Sequence, residues 1–192
     1  ADANAASDSN SAPEQHAAGL ARAVKHYGDD ALVFASFGES SCSEGYVFEA
    51  INGSSVEKLP VIFVIQDNGY GIGVPKRIQT ANERIAENYR GIKNLSITYC
   101  DGRDVFDCFG AMDRAIVHAA SGAGPSIVYA ECARIGSHSN SDNHQLYRSE
   151  EELKEAATHD PLPLFKKRLI DERLLSAEEI GKIERAAQEL FQ

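Results

Sequence analysis

Two apolar runs, Ala31–Phe37 and Val61–Ile65, flank a segment, Tyr46–Asn52, that reads as part of a helix. Runs this short, rich in Val, Ile and Phe and bounded by turn residues, are buried strands. A strand–helix–strand unit returns the chain to the side it left, so both strand ends lie on one edge of a parallel sheet. Open α/β sheets bind ligands at that edge. The first run passes into Gly38-Glu39-Ser40-Ser41 and the second into Gln66-Asp67-Asn68-Gly69-Tyr70. Glu39 brings a carboxylate there and Asn68 an amide oxygen. Hard oxygen donors from adjacent strand ends suit a magnesium ion that also holds a phosphate-bearing ligand.

The rest of the chain extends the same alternation. Ala17, Leu20, Ala21 and Val24 recur at helical spacing and predict a helix from Pro13 to His26, broken by Gly28-Asp29-Asp30. Residues 76–95 are polar, with a short helix expected near Ala81–Ala86. Ser96–Cys100 and Ser126–Glu131 read as a third and fourth strand, separated by a long helix marked by Val105, Cys108, Phe109, Met112, Ile116 and Ala119. The pattern predicts an α/β fold, a parallel sheet with helices on both faces. Arg134–Arg148 is a long aperiodic loop rich in Ser, Asn, Asp and His, of the kind that is functional or disordered. Glu150–Ala157, Pro161–Asp171 and Ala177–Phe191 read as three amphipathic helices that pack on the sheet or on a neighbouring subunit. Three parts follow: an irregular arm or truncated connection over 1–12, an α/β ligand-binding domain over 13–149, and a helical extension over 150–192.

Composition narrows the function classes. A chain of 192 residues, 43% hydrophobic, is long enough for one full core. Its net charge of -10 argues against nucleic acid as the main partner. No apolar run is long enough to span a bilayer, and the small polar start is no secretory signal. Cys42, Cys100, Cys108 and Cys132 form no CxxC pair, which predicts reduced structural thiols in a cytosol-like compartment. The only methionine is Met112 and the chain starts at Ala1, so a processed chain or a fragment is expected.

With these residues in view, the chain resembles the α subunit of the thiamine-diphosphate-dependent 2-oxo acid dehydrogenases, the E1 component, and is most similar to the branched-chain (2-oxoisovalerate) type. The family's thiamine motif is matched by Gly38-Glu39-Ser40-Ser41-Cys42-Ser43-Glu44-Gly45, Phe48-Glu49-Ala50-Ile51-Asn52, Leu59-Pro60 and Asp67-Asn68-Gly69-Tyr70. Its active-site loop is matched by Arg134-Ile135-Gly136-Ser137-His138-Ser139-Asn140-Ser141-Asp142 and Tyr147-Arg148, with Asp101-Gly102-Arg103-Asp104-Val105-Phe106 between. The resemblance implies the thiamine diphosphate-binding fold. It implies magnesium held by Glu39, Asn68 and the backbone carbonyl of Tyr70. Ser40 and Ser41 would lie against the diphosphate, helped by backbone N–H groups at the start of a helix over Ser43–Lys58. His138 would contact the diphosphate and act as the catalytic group facing the reacting carbon. The implied reaction is thiamine-dependent oxidative decarboxylation of a branched-chain, 2-oxoisovalerate-like 2-oxo acid with acyl transfer to lipoamide. Implied partners are an E1 β-type subunit or fused domain, in an α2β2 assembly, and the lipoyl domain of the next enzyme, E2. The implied location is the cytoplasm, or the mitochondrial matrix in a eukaryote. Ser139 matches a serine that kinases modify in mitochondrial members.

The chain also departs from the family pattern. Ser40 stands where Gly is usual, Asp67 where the first of two Asn is usual, and Asp8–Gln15 keeps only fragments of an S-P-L-x-T-Q segment. The family's earlier α-chain residues and the partner's activating glutamate are not in this sequence, so the polypeptide alone should be inactive. Pyruvate and acetoin remain alternative substrates, and a non-catalytic subunit with a decayed thiamine site is a further alternative. A dinucleotide-binding oxidoreductase would need G-x-G-x-x-G opening a helix after the first strand, which Gly38-Glu39-Ser40-Ser41-Cys42-Ser43 lacks.

Overall fold

The structure, a computed structural model, describes residues 13–191. The arm expected over 1–12 lies outside the described residues. Helix α1 (Pro13–Tyr27) buries Glu14, Ala17 and Ala21, spaced three and four apart on one face. Strand β1 (Val33–Gly38) runs into a 3-10 turn at Glu39–Ser43, and α2 (Gly45–Glu57) leads to β2 (Val61–Asp67). A two-residue hairpin follows, β3 (Tyr70–Gly71) with β4 (Val74–Pro75), then α3 (Lys76–Gln79). Strand β5 (Ser96–Asp101), helix α4 (Val105–Ala120) and strand β6 (Ser126–Glu131) complete the alternation.

The four long strands pair in the order β1-β2-β6-β5, all parallel. Helices cover both faces, as the alternation predicted. On one face α1 and α2 lay Ala17, Ala21, Val47 and Ile51 against Phe37, Phe63, Ile65 and Tyr129. On the other, Ala111, Ala115 and Ala119 of α4 pack on Ile62, Val128 and Ala130. Small residues at every fourth position bring α4 close to the sheet. Each fully buried Ile or Phe contributes about 1.5–3 kcal/mol, so this core outweighs the scattered surface ion pairs, worth about 0–1 kcal/mol each.

Two local expectations shift. The helix expected from Ser43 begins at Gly45, because Glu39–Ser43 is a tighter 3-10 turn that buries Glu39 and Cys42. The helix expected near Ala81–Ala86 is replaced by α3 before it and a 3-10 turn at Ile85–Tyr89 after it. Pro75 caps the first, and burial of Ile85, Ala86 and Tyr89 shapes the second.

The C-terminal segment forms α5 (Glu150–Thr158), α6 (Pro161–Asp171) and α7 (Ala177–Leu190), each opened by a side-chain cap from Ser149, Asp160 and Ser176. Helix α6 docks where β5 gives way to α4. Arg168 pairs with Asp104, and the Phe165 and Phe106 rings lie 5.9 Å apart. Arg103 Nη1 sits 3.1 Å from His159 Nδ1. Burial pushes the Cys100 thiol up to about 12 and Cys132 up to about 11, which favours the protonated thiol at both. Among the described residues, no helix is long and apolar enough to cross a membrane.

Candidate functional site

The parallel register pairs Gly38 with Gln66, so the chain leaves β1 and β2 side by side at the carboxyl edge of the sheet. Glu39 is only 1% exposed there. Its Oε2 accepts the backbone N–H of Asn68 at 3.2 Å. Its Oε1 is buried with no hydrogen-bond partner among the described residues. Burial pushes the Glu39 carboxyl up; the Asn68 N–H opposes that, the Asp67 charge adds to it and Lys76 offsets part of it. A buried carboxylate oxygen with nothing to bind is costly. Such an oxygen could hold a cation.

The second strand end is built around Asp67. Its backbone oxygen accepts from Cys132 N at 2.6 Å, and its Oδ1 accepts from Gly69 N at 3.0 Å. Its Oδ2 receives both the Tyr129 hydroxyl and the Lys76 ammonium. Gly69 sits at φ +81°, the left-handed region that lets the turn close. Asn68 Oδ1 accepts from Tyr70 N at 3.2 Å, an Asx turn that leaves a second lone pair on the amide oxygen. Lys76 N donates to Gly69 O at 2.8 Å, which makes Tyr70 and Pro75 a non-hydrogen-bonded pair and turns the Tyr70 carbonyl away from β4.

Ser40 lies on the same turn as Glu39, with its Oγ buried and without a partner among the described residues. A Cβ added at Gly71 would collide with that hydroxyl, so the hairpin passes as close to Ser40 as a backbone can. Gln79 of α3 ties the two together, donating to Ser40 O and Ser43 Oγ at 2.9 Å each. Ser41 is half-buried on the same turn.

The Arg134–Arg148 loop is anchored beside this hairpin. Arg134 donates to Ile72 O at 2.7 Å and to the Tyr147 hydroxyl at 2.8 Å, and its guanidinium stands 4.9 Å from the centre of the Tyr70 ring. Arg148 donates to Arg134 O and to Glu152 Oε1 at 2.9 Å each, and Tyr70 OH donates to the same Glu152 oxygen at 2.7 Å. Tyr147 OH donates to Asp142 Oδ2 at 2.6 Å, and that oxygen also accepts from His138 N at 2.8 Å. His138 itself is exposed, as is Ser139.

Glu39, Ser40, Asn68 and Tyr70 are thus brought together by the fold. His138 is held in a loop whose two ends pack on Tyr70 and Ile72. Sequence reasoning passed over Lys76, Gln79 and Glu152, which carry no motif and become visible only through their partners. Tyr147 and Arg148, part of the matched loop, anchor its C-terminal end through Arg134, Asp142 and Glu152.

Residues 3–191 match the family described as dehydrogenase E1 component. The 3-methyl-2-oxobutanoate dehydrogenase subunit alpha of Mycobacterium tuberculosis is 37% identical over 161 residues, covering 84% of this chain and 44% of that protein. The 2-oxoisovalerate dehydrogenase subunit alpha of Bacillus subtilis is 36% identical over 163 residues, covering 85% and 49%. The pyruvate dehydrogenase E1 component subunit alpha of Zymomonas mobilis is 41% identical over 154 residues, covering 79% and 43%. The chain spans less than half the length of these relatives.

Proposed function

The chain belongs to the dehydrogenase E1 component family, and on that premise we propose that it is the cofactor-gripping segment of an E1 α-type subunit. The observation that carries this reading is the buried Oε1 of Glu39, unpartnered among the described residues, beside the Asn68 turn. A carboxylate, a carboxamide oxygen and an outward backbone carbonyl at Tyr70 form an all-oxygen donor set of the kind magnesium takes. Thiamine diphosphate supplies the carbanion and electron-sink chemistry when bound.

This chain's own residues bind and orient. Glu39, Asn68 and the Tyr70 carbonyl would hold the magnesium ion, which would supply positive charge for the diphosphate. Ser40 and Ser41 offer hydroxyls to the phosphate oxygens, with the backbone N–H groups that open α2 adding positive potential. Ser40, in the place of a glycine, contributes a buried hydroxyl without a partner among the described residues, so its side chain serves as a ligand. His138, on its exposed loop, donates a hydrogen bond or moves a proton at the reacting carbon. The parent protein decarboxylates a branched-chain 2-oxo acid and passes the acyl group to the lipoyl domain of E2, working with a β-type subunit or fused domain in an α2β2 assembly. We place it in the cytoplasm, or in the mitochondrial matrix of a eukaryote. The 41% identity to a pyruvate dehydrogenase subunit keeps pyruvate as a second substrate reading.

Calorimetry on the full-length protein with its β-type partner tests the assignment. Uptake of thiamine diphosphate that requires magnesium is expected, with turnover of 2-oxoisovalerate exceeding that of pyruvate and acetoin. No uptake would mark a decayed, non-catalytic site. Faster turnover of pyruvate would move the substrate assignment.

A further inference from the structure

We propose that Lys76 is a positioning residue, a built-in cation that neutralises Asp67 and so leaves Glu39 as the one free carboxylate at the ion site; this rests on the cofactor reading above. Two buried carboxylates, Glu39 and Asp67, leave adjacent strand ends side by side, and the two repel each other. The resemblance expects a neutral amide at position 67, so the carboxylate brings a charge that must be balanced. Lys76 supplies the balance. Its ammonium bonds Asp67 Oδ2, with the Asp67 side chain 3% and the Lys76 side chain 22% exposed.

Lys76 grips the turn twice. Its backbone N–H holds Gly69 O at 2.8 Å while its side chain holds Asp67, so one residue closes the hairpin on both sides of Asn68. Asp67 is the more engaged of the two carboxylates: its Oδ1 accepts from Gly69 N–H and its Oδ2 from both Tyr129 and Lys76, whereas Glu39 Oε1 accepts from nothing among the described residues. With Asp67 engaged by Lys76, the carboxylate oxygen of the pair without a partner among the described residues is Glu39 Oε1. A divalent cation is therefore directed to Glu39 and Asn68 rather than to Asp67.

The experiment compares Lys76→Met, Lys76→Arg, Asp67→Asn and the double variant Asp67→Asn/Lys76→Met in the full-length assembled protein. Mn2+ uptake at fixed thiamine diphosphate is read from the free-ion electron paramagnetic resonance signal. Amide hydrogen exchange over residues 67–70 is read without metal. Removing a group that orients a metal ligand is expected to weaken uptake about tenfold or more in Lys76→Met. Lys76→Arg stays near wild type. The double variant recovers to within about threefold, because a neutral amide needs no counterion. Exchange should quicken in Lys76→Met and slow again in the double variant, a readout that stands whether or not the ion binds. Uptake in Lys76→Met equal to wild type, or a double variant no better than Lys76→Met in both readouts, overturns the proposal. Absence of Mn2+ uptake by wild type, with the exchange pattern intact, overturns the cofactor reading and leaves Lys76 as the brace of the turn.

Discussion

Glu39 and Asn68 are joined across two neighbouring strand ends, the Glu39 Oε2 accepting the Asn68 backbone N–H at 3.2 Å. The bond uses one oxygen of the carboxylate and leaves the other, Oε1, buried and without a partner among the described residues. Glu39→Gln keeps an oxygen for Asn68 but removes the charge. The protein should fold normally while magnesium-dependent cofactor affinity drops by about 100-fold. Calorimetry reads the affinity and circular dichroism the fold; undiminished affinity sinks the ligand role.

Gly69 holds φ +81° in the turn that presents Asn68. An alanine there pays the left-handed penalty of about 1–2 kcal/mol. Chemical denaturation of Gly69→Ala should show that loss.

The approach of Gly71 to Ser40 gives a paired prediction. Gly71→Ala drives a methyl into Ser40 Oγ, a hydroxyl already confined beside Gln79. Diphosphate affinity should fall, and Ser40→Gly in the same chain should restore room for the hairpin. Inorganic pyrophosphate titrations of the single and double variants distinguish the outcomes; an additive pair would show that the two positions do not touch.

Tyr147 links Arg134 to Asp142, and Asp142 holds the backbone of His138. Tyr147→Phe deletes both hydroxyl bonds and leaves the ring beside Tyr70, 6.0 Å between centroids. Limited proteolysis between 136 and 146 should accelerate with the melting temperature little changed. Acyl transfer should slow if that loop carries His138 to the reaction. Cleavage at the wild-type rate would show that the loop is held elsewhere.

Glu14 stands in the first turn of α1, fully buried, with neither carboxyl oxygen partnered among the described residues. Burial pushes its carboxyl up, and the thiol of Cys42 and hydroxyls of Tyr46 and Tyr89 lie near enough to feel it. The folded state therefore holds the Glu14 proton more tightly than the unfolded chain. Its contribution to stability is full below the ordinary glutamate range and is lost as pH rises through the raised folded value. Glu14→Gln should raise the melting temperature at neutral pH relative to wild type, with the gap closing as the pH falls. A gap independent of pH would show that the folded and unfolded chains hold the Glu14 proton equally.

Much of the fold was legible because its signals are local. Val61–Ile65 is apolar at every position, and in the structure β2 is covered on both faces by α1 and α2 on one side and α4 on the other. Ser126–Glu131 is a strand over its full expected span. The pairing of Glu39 with the Asn68 turn followed from the rule that a crossover returns to the same edge, and the register of Gly38 with Gln66 supplies the contact. The helix expected near Ala81–Ala86 missed because buried contacts of Ile85 and Tyr89, not helical periodicity, shape that stretch.

The sequence by itself determined where the strands run, on which edge they end and which oxygen-bearing residues arrive there, since periodicity and crossover geometry act over short stretches of chain. Tertiary structure alone decided which polar groups meet in the interior. Asp67 finds Tyr129 at a separation of 62 residues, and Tyr70 finds Glu152 at 82. A buried charge must take its partner from whatever packing brings within reach, and that choice leaves no local trace in the chain.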